Sequence, residues 1–477
     1  MQRRRRRGYR GATVETATDL PRRSPVKRAP LWIASILGLL YAATWSGRYI
    51  HDGPILVEKL EEGAVLYIHV GYLLAANVLH RGLSLFGTVS PETTLAVLSV
   101  LSGACAFLFA ALLAFEVVGD SRVACTAAGL AALSPVVWLH SGIVEIHVFS
   151  AAASSLAALL AYRSRPSAPL AATAAAGVAL FGHLSSLFLV PGLLFLAFSK
   201  ERPAGASPRI RSWLLASAGS AAAIAALWLF LWLVLGAQWA RPSFVSRLVP
   251  RGVPPLLEHP SFLGLRMEEE FFPAWGLLPL FVPLALIHRP ERTGGVAASV
   301  LCAGVPVALL AALAPPYDGM YTLVLYPFLV LAAALPLARA TRGRTAVVLV
   351  AVLVGQAALA IPERVRAGDD PDRAWAERVK GEVARPALIL AEGPGRARLA
   401  RRVAGAEALG LGPVPPETVG LLVDSVSGPE RTVYVDARLV RHQAEFPGLS
   451  GFLSRLEIER FGGGDLYRVT RVSRSPR

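Results

Sequence analysis

Eleven apolar runs of membrane-helix length constrain the fold of this chain more than any other feature of its sequence. Each run approaches the ~20 residues that a helix needs to cross the hydrocarbon core of a bilayer. Only 17% of the 477 residues are charged, whereas soluble proteins carry about 25%. We therefore predict an all-α polytopic membrane bundle with about eleven transmembrane helices. The runs lie at residues 31–47, 91–115, 123–140, 146–162, 168–182, 184–198, 212–236, 271–287, 295–314, 321–338 and 345–361.

The basic residues predict how this bundle is oriented. Ten Lys and Arg residues lie in the N-terminal segment 1–30, ahead of the first run. If that segment is a cytoplasmic tail, every short loop on the cytoplasmic side carries Lys or Arg, and the short outer loops carry none. This distribution explains the net charge of +15 without nucleic acid as a partner. The lipid bilayer is the partner that the composition implies.

Residues 65–87 are apolar, but counting them as a twelfth crossing would invert every later loop and break the charge pattern. We predict that they form, with residues 53–62, amphipathic or re-entrant helices within an outer loop at 48–90. Glu58, Glu61 and Glu62 are predicted to form the solvated face of such a helix. A second outer loop is predicted at 237–270.

The tail from residue 362 has the composition of a soluble unit. "DRAWAERVKGEVA" predicts a helix, "PALILAEG" and "TVYVDA" predict buried strands, and "FLSRLEIERF" with "GGGDLYRVTRV" predicts a strand pair around a glycine turn. We therefore expect a transmembrane domain at 31–361 and a small α/β extracytoplasmic domain at 362–477.

Polar residues collect at the predicted outer face of the bundle. Arginines can bind phosphate through charge-assisted hydrogen bonds, and a carboxylate can take a proton from an attacking hydroxyl group. Together with an apolar bundle, they suit a substrate with an anionic head group and a lipid tail. No metal-ligand spacing is present in the sequence, so no metal site is predicted, and dependence on a divalent metal stays open. The candidate residues are Asp52, His140, Glu145, His147, His183, Arg247, Arg251 and Arg266.

Three stretches of the sequence are similar to motifs of the GT-C superfamily of membrane glycosyltransferases, in particular the branch related to protein O-mannosyltransferases. They are "HDGPILVEKLEEGAVLYIHVGYLL", "SPVVWLHSGIVEIH" and "FGHLSSLFLVPG". The sequence lacks the prolines that the family usually carries between its His and its Gly-Tyr. The matching residues are Asp52, Gly53, His69, Gly71 and Tyr72 in the first stretch, Ser134, Pro135, Trp138, Glu145 and His147 in the second, and Gly182 and His183 in the third.

The resemblance implies an inverting transfer of a sugar, such as mannose, from a polyprenyl-phosphate donor to an acceptor hydroxyl group on the extracytoplasmic side. Asp52 is then the expected general base, and Glu145 its helper or its alternative. The leaving phosphate needs positive charge, which the arginines of the second outer loop can supply. The residues expected to bind substrate are His69, Tyr72, His147, His183, Arg247, Arg251 and Arg266.

The sequence leaves the acceptor open between a protein, a lipid and a glycan. The expected location is the inner membrane of a bacterium, with the N-terminus in the cytoplasm. Two other functions remain open. A transporter or flippase of a lipid-linked sugar would be expected to show polar or broken helices at mid-membrane depth. A non-catalytic membrane scaffold would use the outer domain to recruit a partner.

Overall fold

The fold was obtained as a computed structural model. It describes residues 28–45, 53–64, 69–163, 169–199, 271–288 without 272, 293–313, 320–340, 371–411, 419–427, 431–441 and 448–473, and the single positions 218, 222, 347, 351, 352, 355 and 443. The predicted apolar run 212–236 and the predicted outer loop 237–270 therefore lie almost entirely outside the described residues.

The first part of the chain is helical. It includes short 3₁₀ segments at Leu184–Leu189, Leu278–Leu280 and Met320–Leu325, each directly ahead of an α-helix. The helices are α1 Ala29–Ala43, α2 Gly53–Glu61, α3 Val70–Ser84, α4 Pro91–Val118, α5 Ser121–Ala132, α6 Pro135–Ser141, α7 His147–Arg163, α8 Pro169–Gly182, α9 Val190–Ser199, α10 Phe281–Ile287, α11 Gly294–Leu313 and α12 Tyr326–Leu337.

Three of the described helical segments are long and apolar enough to cross a membrane, at Pro91–Val118, Gly294–Ala311 and Met320–Leu337. The pair α5 and α6 makes a fourth if it counts as one broken span. The chain is therefore an integral membrane protein. Nine of the eleven predicted runs contain described helices, but several of these are shorter than a full crossing, and a count of eleven crossings is not confirmed.

The predicted run 123–140 is not one straight helix. It bends by 72° between α5 and α6. Ser134 adopts an extended conformation there, with ψ 148°, and Pro135 begins α6. The bend has a local cause, because proline has no N–H to continue the ladder and disfavours a helical conformation in the residue before it.

Helix α4 is the centre of the helical body, packed against α1, α5 and α7. Its start is fixed by Ser90, whose hydroxyl accepts the backbone N–H of Thr93, and by Pro91 in the first turn. Its end is fixed by Gly119, which adopts the left-handed conformation (φ 74°) and donates its N–H to the carbonyl of Phe115. Helix α5 follows at once, because Asp120 caps its first turn.

Tyrosine hydroxyl groups tie α5 to its neighbours inside this body. Tyr41 of α1 donates to the carbonyl of Ala132 at 2.7 Å, and Tyr326 of α12 donates to the carbonyl of Ala128 at 3.0 Å. Each such bond contributes about 1 kcal/mol and, more importantly, gives the buried tyrosine hydroxyl an acceptor in place of water. These bonds hold the broken α5–α6 segment in place.

Residues 53–61 and 70–84 form two separate helices, α2 and α3. Neither belongs to the segments that meet the length and composition of a span. The apolar face of α2 is buried through Leu56, Val57 and Leu60.

The C-terminal part contains a five-stranded sheet in the order β2-β1-β3-β5-β4. Strand β1 pairs in parallel with β2 and β3, and β5 pairs antiparallel with β3 and β4. We refer to residues 371–472 as the sheet unit. Its elements are α13 Pro371–Glu382, β1 Ala387–Glu392, α14 Gly393–Leu399 with a π-helical continuation at Ala400–Ala404, β2 Glu407–Leu411, α15 Val419–Val426, β3 Thr432–Asp436, α16 Ala437–Arg441, α17 Leu449–Leu453, β4 Leu456–Phe461 and β5 Leu466–Val472.

The two predicted strands and the predicted strand pair are all present in the sheet unit. Strand β2 was not predicted. One face of the sheet packs beneath α15 and α17 through residues such as Leu390 and Phe452. The other face, through Ile389 and Tyr434, is continuous with a core that also includes residues of α2, α3 and α4. The sheet unit is thus joined to the helical body by a shared core.

Glu58 and Glu61 are not simply the solvated face that the sequence predicted. Glu58 pairs with Arg398, and Glu61 pairs with Arg402 at 2.7 Å. Both arginines belong to the α14 segment of the sheet unit. Glu62 differs, since it is exposed and pairs with Lys59 of its own helix segment. The sequence prediction missed these pairs because their partners lie more than 300 residues away along the chain.

Candidate functional site

Four histidines, one glutamate and one tyrosine meet where the ends of several helices converge. His69 directly precedes α3, His140 lies in α6, His147 begins α7, and His183 follows α8. We refer to these four residues with Glu145 and Tyr321 as the histidine cluster. All four imidazoles and the carboxylate are buried.

Two glycines allow these helices to approach so closely. A Cβ atom on Gly71 would lie 2.0 Å from the carbonyl oxygen of Phe181, and one on Gly182 would lie 2.5 Å from the Cβ atom of Ala153. Real Cβ atoms essentially never come so near to other atoms. The first contact brings the start of α3 against the end of α8, and the second brings α8 against α7.

Glu145 lies in the short connection between α6 and α7 and is completely buried. Its Oε1 accepts the backbone N–H of Ile146 at 2.9 Å and lies 2.8 Å from Nδ1 of His147. A carboxylate held in this way keeps the histidine ring in one orientation and in the tautomer with its proton on Nδ1. Glu145 and His147, both predicted site residues, therefore act as one hydrogen-bonded pair.

His183 caps the 3₁₀ segment that follows it. Its Nδ1 accepts the backbone N–H of Ser185 at 3.1 Å and lies 2.8 Å from the hydroxyl oxygen of the same serine. Since Nδ1 accepts a bond from a backbone N–H, it carries no proton, and the proton of the neutral ring is on Nε2. His183 thus serves both as a cap and as a member of the cluster.

The rings of the cluster form a continuous set of contacts. His69 stacks on His183 with ring centroids 5.7 Å apart and ring planes 26° apart. The His183 and His147 centroids are 4.9 Å apart. The ring centroid of His147 lies 6.3 Å from that of His140 and 5.4 Å from that of Tyr321, in T-shaped arrangements. Three of the predicted substrate-binding residues, His69, His147 and His183, are therefore brought together beside Glu145.

Two members of the cluster had no role assigned from the sequence: His140 was a candidate without a role, and Tyr321 was not a candidate. His140 lies with its Nδ1 2.8 Å from the carbonyl oxygen of Val136, so this nitrogen carries a proton. Tyr321 reaches the cluster from the 3₁₀ segment ahead of α12. Both residues follow prolines in stretches rich in other polar side chains, but no spacing in the sequence relates Tyr321 to a histidine so far away along the chain.

Tyr72, another predicted substrate-binding residue, is fully buried at the start of α3. Its hydroxyl lies 3.4 Å from the carbonyl oxygen of Leu95 and 3.5 Å from the hydroxyl of Ser99. Ser99 donates to the backbone carbonyl of Glu145 at 3.3 Å. Tyr72 of α3 is therefore linked through Ser99 to the backbone of Glu145. The Tyr72 ring packs against Phe149.

The other predicted site residues, Asp52, Arg247, Arg251 and Arg266, lie outside the described residues. Asp52 directly precedes Gly53, the first residue of α2. Within the part of the chain that the structure describes, no group of three or more His, Cys, Asp or Glu side chains has the geometry to hold a metal ion.

The histidine cluster combines proton donors, proton acceptors and flat rings in a confined space. A buried carboxylate beside an imidazole can accept or relay a proton, and imidazoles can donate hydrogen bonds to hydroxyl or phosphate oxygens. Polar groups cost free energy when they are buried. Their convergence from four separate segments therefore makes the histidine cluster the candidate functional site.

No protein-family model matches the sequence, and no curated protein matches it significantly. Solved structures are similar in fold. The archaeal oligosaccharyltransferase AglB from Archaeoglobus fulgidus, in complex with an inhibitory peptide and a dolichol-phosphate, is 12% identical with a TM-score of 0.55, and the alignment covers 94% of this chain and 75% of AglB. ArnT from Cupriavidus metallidurans, bound to undecaprenyl phosphate, is 13% identical with a TM-score of 0.55, over 92% of this chain and 98% of ArnT. At such identity these likenesses establish the fold.

Proposed function

We propose that the chain is a membrane glycosyltransferase with a polyprenyl-phosphate-linked sugar as donor. Its motifs predicted the GT-C fold, and the structural similarity to AglB and ArnT confirms this fold. The observation that carries this proposal is the convergence of Glu145, His147, His183 and His69 at one buried place. These are residues of all three motifs through which the sequence resembles the superfamily. The dolichol-phosphate held by AglB and the undecaprenyl phosphate held by ArnT support a donor of this class.

In the proposed reaction an acceptor hydroxyl oxygen attacks the anomeric carbon of the sugar. A new C–O bond forms as the bond between that carbon and the phosphate oxygen breaks, with inversion at the carbon. The hydroxyl proton passes to the carboxylate of Asp52, and the polyprenyl phosphate leaves as an anion. A base in this role must lie within hydrogen-bond reach of the acceptor.

Glu145 and His147 are proposed to support this step. The carboxylate fixes the ring of His147, and the pair can hold the acceptor hydroxyl or receive its proton in place of Asp52. His69 and His183 are proposed to contact the sugar or the phosphate. Arg247, Arg251 and Arg266 are proposed to neutralise the leaving phosphate by charge-assisted hydrogen bonds.

We also propose that the sugar is mannose and that the chain belongs to the branch related to protein O-mannosyltransferases. The proposed site lies on the extracytoplasmic side of a bacterial inner membrane. The proposed division is a transmembrane domain at 31–361 and an extracytoplasmic domain at 362–477. Reporter fusions at residues 118 and 400 should then report opposite sides of the membrane, and the same side for both would exclude this arrangement.

The test of the proposed function uses the purified protein in lipid nanodiscs with radiolabelled polyprenyl-phosphate sugars. The unmodified chain should release free polyprenyl phosphate and label an acceptor. Asp52→Asn should abolish transfer without lowering the yield of folded protein, because the amide cannot take the proton. Movement of the intact donor between leaflets without cleavage would instead indicate a flippase.

A further inference from the structure

We propose that the sheet unit positions the histidine cluster for the reaction, and that the ion pairs Glu58–Arg398 and Glu61–Arg402 are its positioning contacts. The proposal rests on the proposed function for its catalytic consequence. Its structural part, the coupling of the sheet unit to the cluster, can be measured without any activity.

The ion pairs lie along a single contact between α2 and the α14 segment. Arg398 and Arg402 are four residues apart and pair with Glu58 and Glu61, which are three residues apart. Residues at this spacing share one face of a helix. Two elements distant in sequence therefore meet with complementary charges in register along one face of each.

A third pair extends this contact to the central helix of the membrane part. Arg373 of α13 reaches Glu92 in the first turn of α4, with Nη1 and Oε1 3.5 Å apart. The first turn of a helix carries a partial positive charge, which also stabilises the carboxylate of Glu92. The sheet unit therefore contacts both the outer helix α2 and the start of α4.

Beneath these ion pairs, one apolar core connects the sheet unit to the neighbours of Glu145. Trp375 and Val379 of α13 belong to the same buried cluster as Leu56 of α2, and that cluster includes Val144 and Ile146. These two residues flank Glu145 on both sides. Since packed cores resist small displacements, a shift of the sheet unit is expected to reach the carboxylate.

The same core includes residues of α3 that lie close to His69. Tyr72 and Leu73 are both fully buried in it. Tyr72 also contacts Ser99, which donates to the backbone of Glu145. Two routes thus lead from the sheet unit to the cluster, one through 144–146 and one through the start of α3.

The interior of the sheet unit favours a supporting role for it. In open α/β sheets ligands usually bind at the carboxyl ends of the parallel strands. Here Arg396 lies at the ends of β1 and β3, stacked over Trp375 at 4.0 Å and paired with Asp436 at 2.9 Å and with Asp372 at 2.8 Å. Arg396 is 6% exposed, so the usual place for a ligand is filled by a side chain of the unit itself.

The ion pairs are partly exposed, with 31% of the Arg402 side chain and 47% of the Glu61 side chain accessible. Exposed pairs of this kind contribute little to stability. Charged groups at the rim of a contact set the register between its two sides. Their substitution should therefore displace α2 and α3 relative to the sheet unit while the shared core keeps the chain folded.

The experiment measures hydrogen exchange and transfer kinetics on the full chain in nanodiscs. The variant Arg398→Glu/Arg402→Glu should raise amide exchange about tenfold at residues 69–73 and 143–147, because two attractive contacts become repulsive. It should lower kcat for sugar transfer by about 10- to 100-fold, as small misplacements of catalytic groups do. The KM for the donor should change much less.

The charge swap that adds Glu58→Arg and Glu61→Arg should restore slow exchange and most of kcat, because the pairs form again with reversed polarity. Arg401→Glu is the matched control. Arg401 lies beside Arg402 but outside these ion pairs, so this variant should behave like the unmodified chain.

Unchanged exchange at both segments in Arg398→Glu/Arg402→Glu would overturn the coupling. A raised exchange with unchanged kcat would overturn the positioning role. If the unmodified chain transfers no sugar, the proposed function fails, and the exchange data still decide whether the sheet unit is coupled to the cluster.

Discussion

Gly71 of α3 lies directly against the backbone of Phe181, so that a Cβ atom on Gly71 would meet the carbonyl oxygen of Phe181 at 2.0 Å. This close approach brings the start of α3 to the end of α8. His69 and His183 can stack because each lies two residues from one of these contact positions.

Gly71→Ala should therefore separate α3 from α8. We expect a loss of about 1–3 kcal/mol in stability, as for other overpacked contacts, and a loss of transfer activity because His69 moves away from His183. Thermal unfolding and transfer assays measure the two effects. Gly82→Ala is the matched control on the same helix, since a Cβ atom there meets nothing within 4 Å, and it should be neutral or slightly stabilising. Equal effects of the two substitutions would contradict this role for Gly71.

The pair formed by Glu145 and His147 predicts different results for different substitutions of His147. Asparagine places an amide N–H close to the position of Nδ1, whereas alanine leaves the buried carboxylate without this donor. His147→Asn should therefore retain more activity than His147→Ala, by about tenfold, since hydrogen bonds to charged groups contribute about 1.5–3 kcal/mol. His80→Asn is the control. His80 also uses its Nδ1 for a hydrogen bond, to the hydroxyl of Thr94, but it lies outside the cluster. Equal loss in both His147 variants would indicate that the other ring nitrogen carries the function.

Tyr321 contacts His147 and His183 through its ring. Tyr321→Phe keeps these ring contacts and should keep most of the activity. Tyr321→Ala removes them and should lower activity by about 2- to 10-fold, the equivalent of an aromatic pair. Transfer assays on both variants measure the difference. If phenylalanine is as damaging as alanine, the hydroxyl group and not the ring is the part that matters.

Arg396 and Asp436 form a buried ion pair inside the sheet unit. Burial lowers the pKa of the Arg396 guanidinium and raises the pKa of the Asp436 carboxyl, while each group shifts the pKa of its partner in the opposite direction. Arg396→Met leaves the carboxylate buried without its partner and should cost about 3–5 kcal/mol.

The pH dependence of that loss follows from the carboxyl group. Without Arg396 the pKa of Asp436 in the folded state rises further above its unfolded value. The variant therefore loses stability as the pH rises from the pKa of the Asp436 carboxyl in the unfolded state to its higher pKa in the folded state. The loss should be larger at pH 7 than near pH 4. Unfolding measured at both pH values checks this. Arg468→Met, at an exposed pair, should have little effect, and a pH-independent loss in Arg396→Met would contradict the explanation.

Much of the fold could be predicted where one segment determines its own structure. Strands β1 and β3 were predicted because each is a short buried run rich in aliphatic residues, and the β4–β5 pair because a glycine turn separates its halves. Strand β2, with the sequence "EALGL", has few residues that favour strands, and it forms because it pairs with β1 at the edge of the sheet.

The contacts between distant segments could not be predicted in the same way. The spacing of Glu58 and Glu61 indicated a charged helix face, but nothing local indicated that arginines near residue 400 would cover it. The motifs pointed to Glu145, His147 and His183 through the resemblance. Tyr321 joined them only because the fold brings the segment ahead of α12 to the same place.

We propose that the buried carboxylate of Glu145 serves sugar transfer from a polyprenyl phosphate. The most direct measurement compares Glu145→Gln with Glu116→Gln in a transfer assay on purified protein in nanodiscs. Glu116 is also an acid of the membrane part but pairs with Arg163, away from the cluster. We predict that Glu145→Gln abolishes transfer while Glu116→Gln retains it, with both proteins folded. Full transfer by folded Glu145→Gln would exclude this role for Glu145.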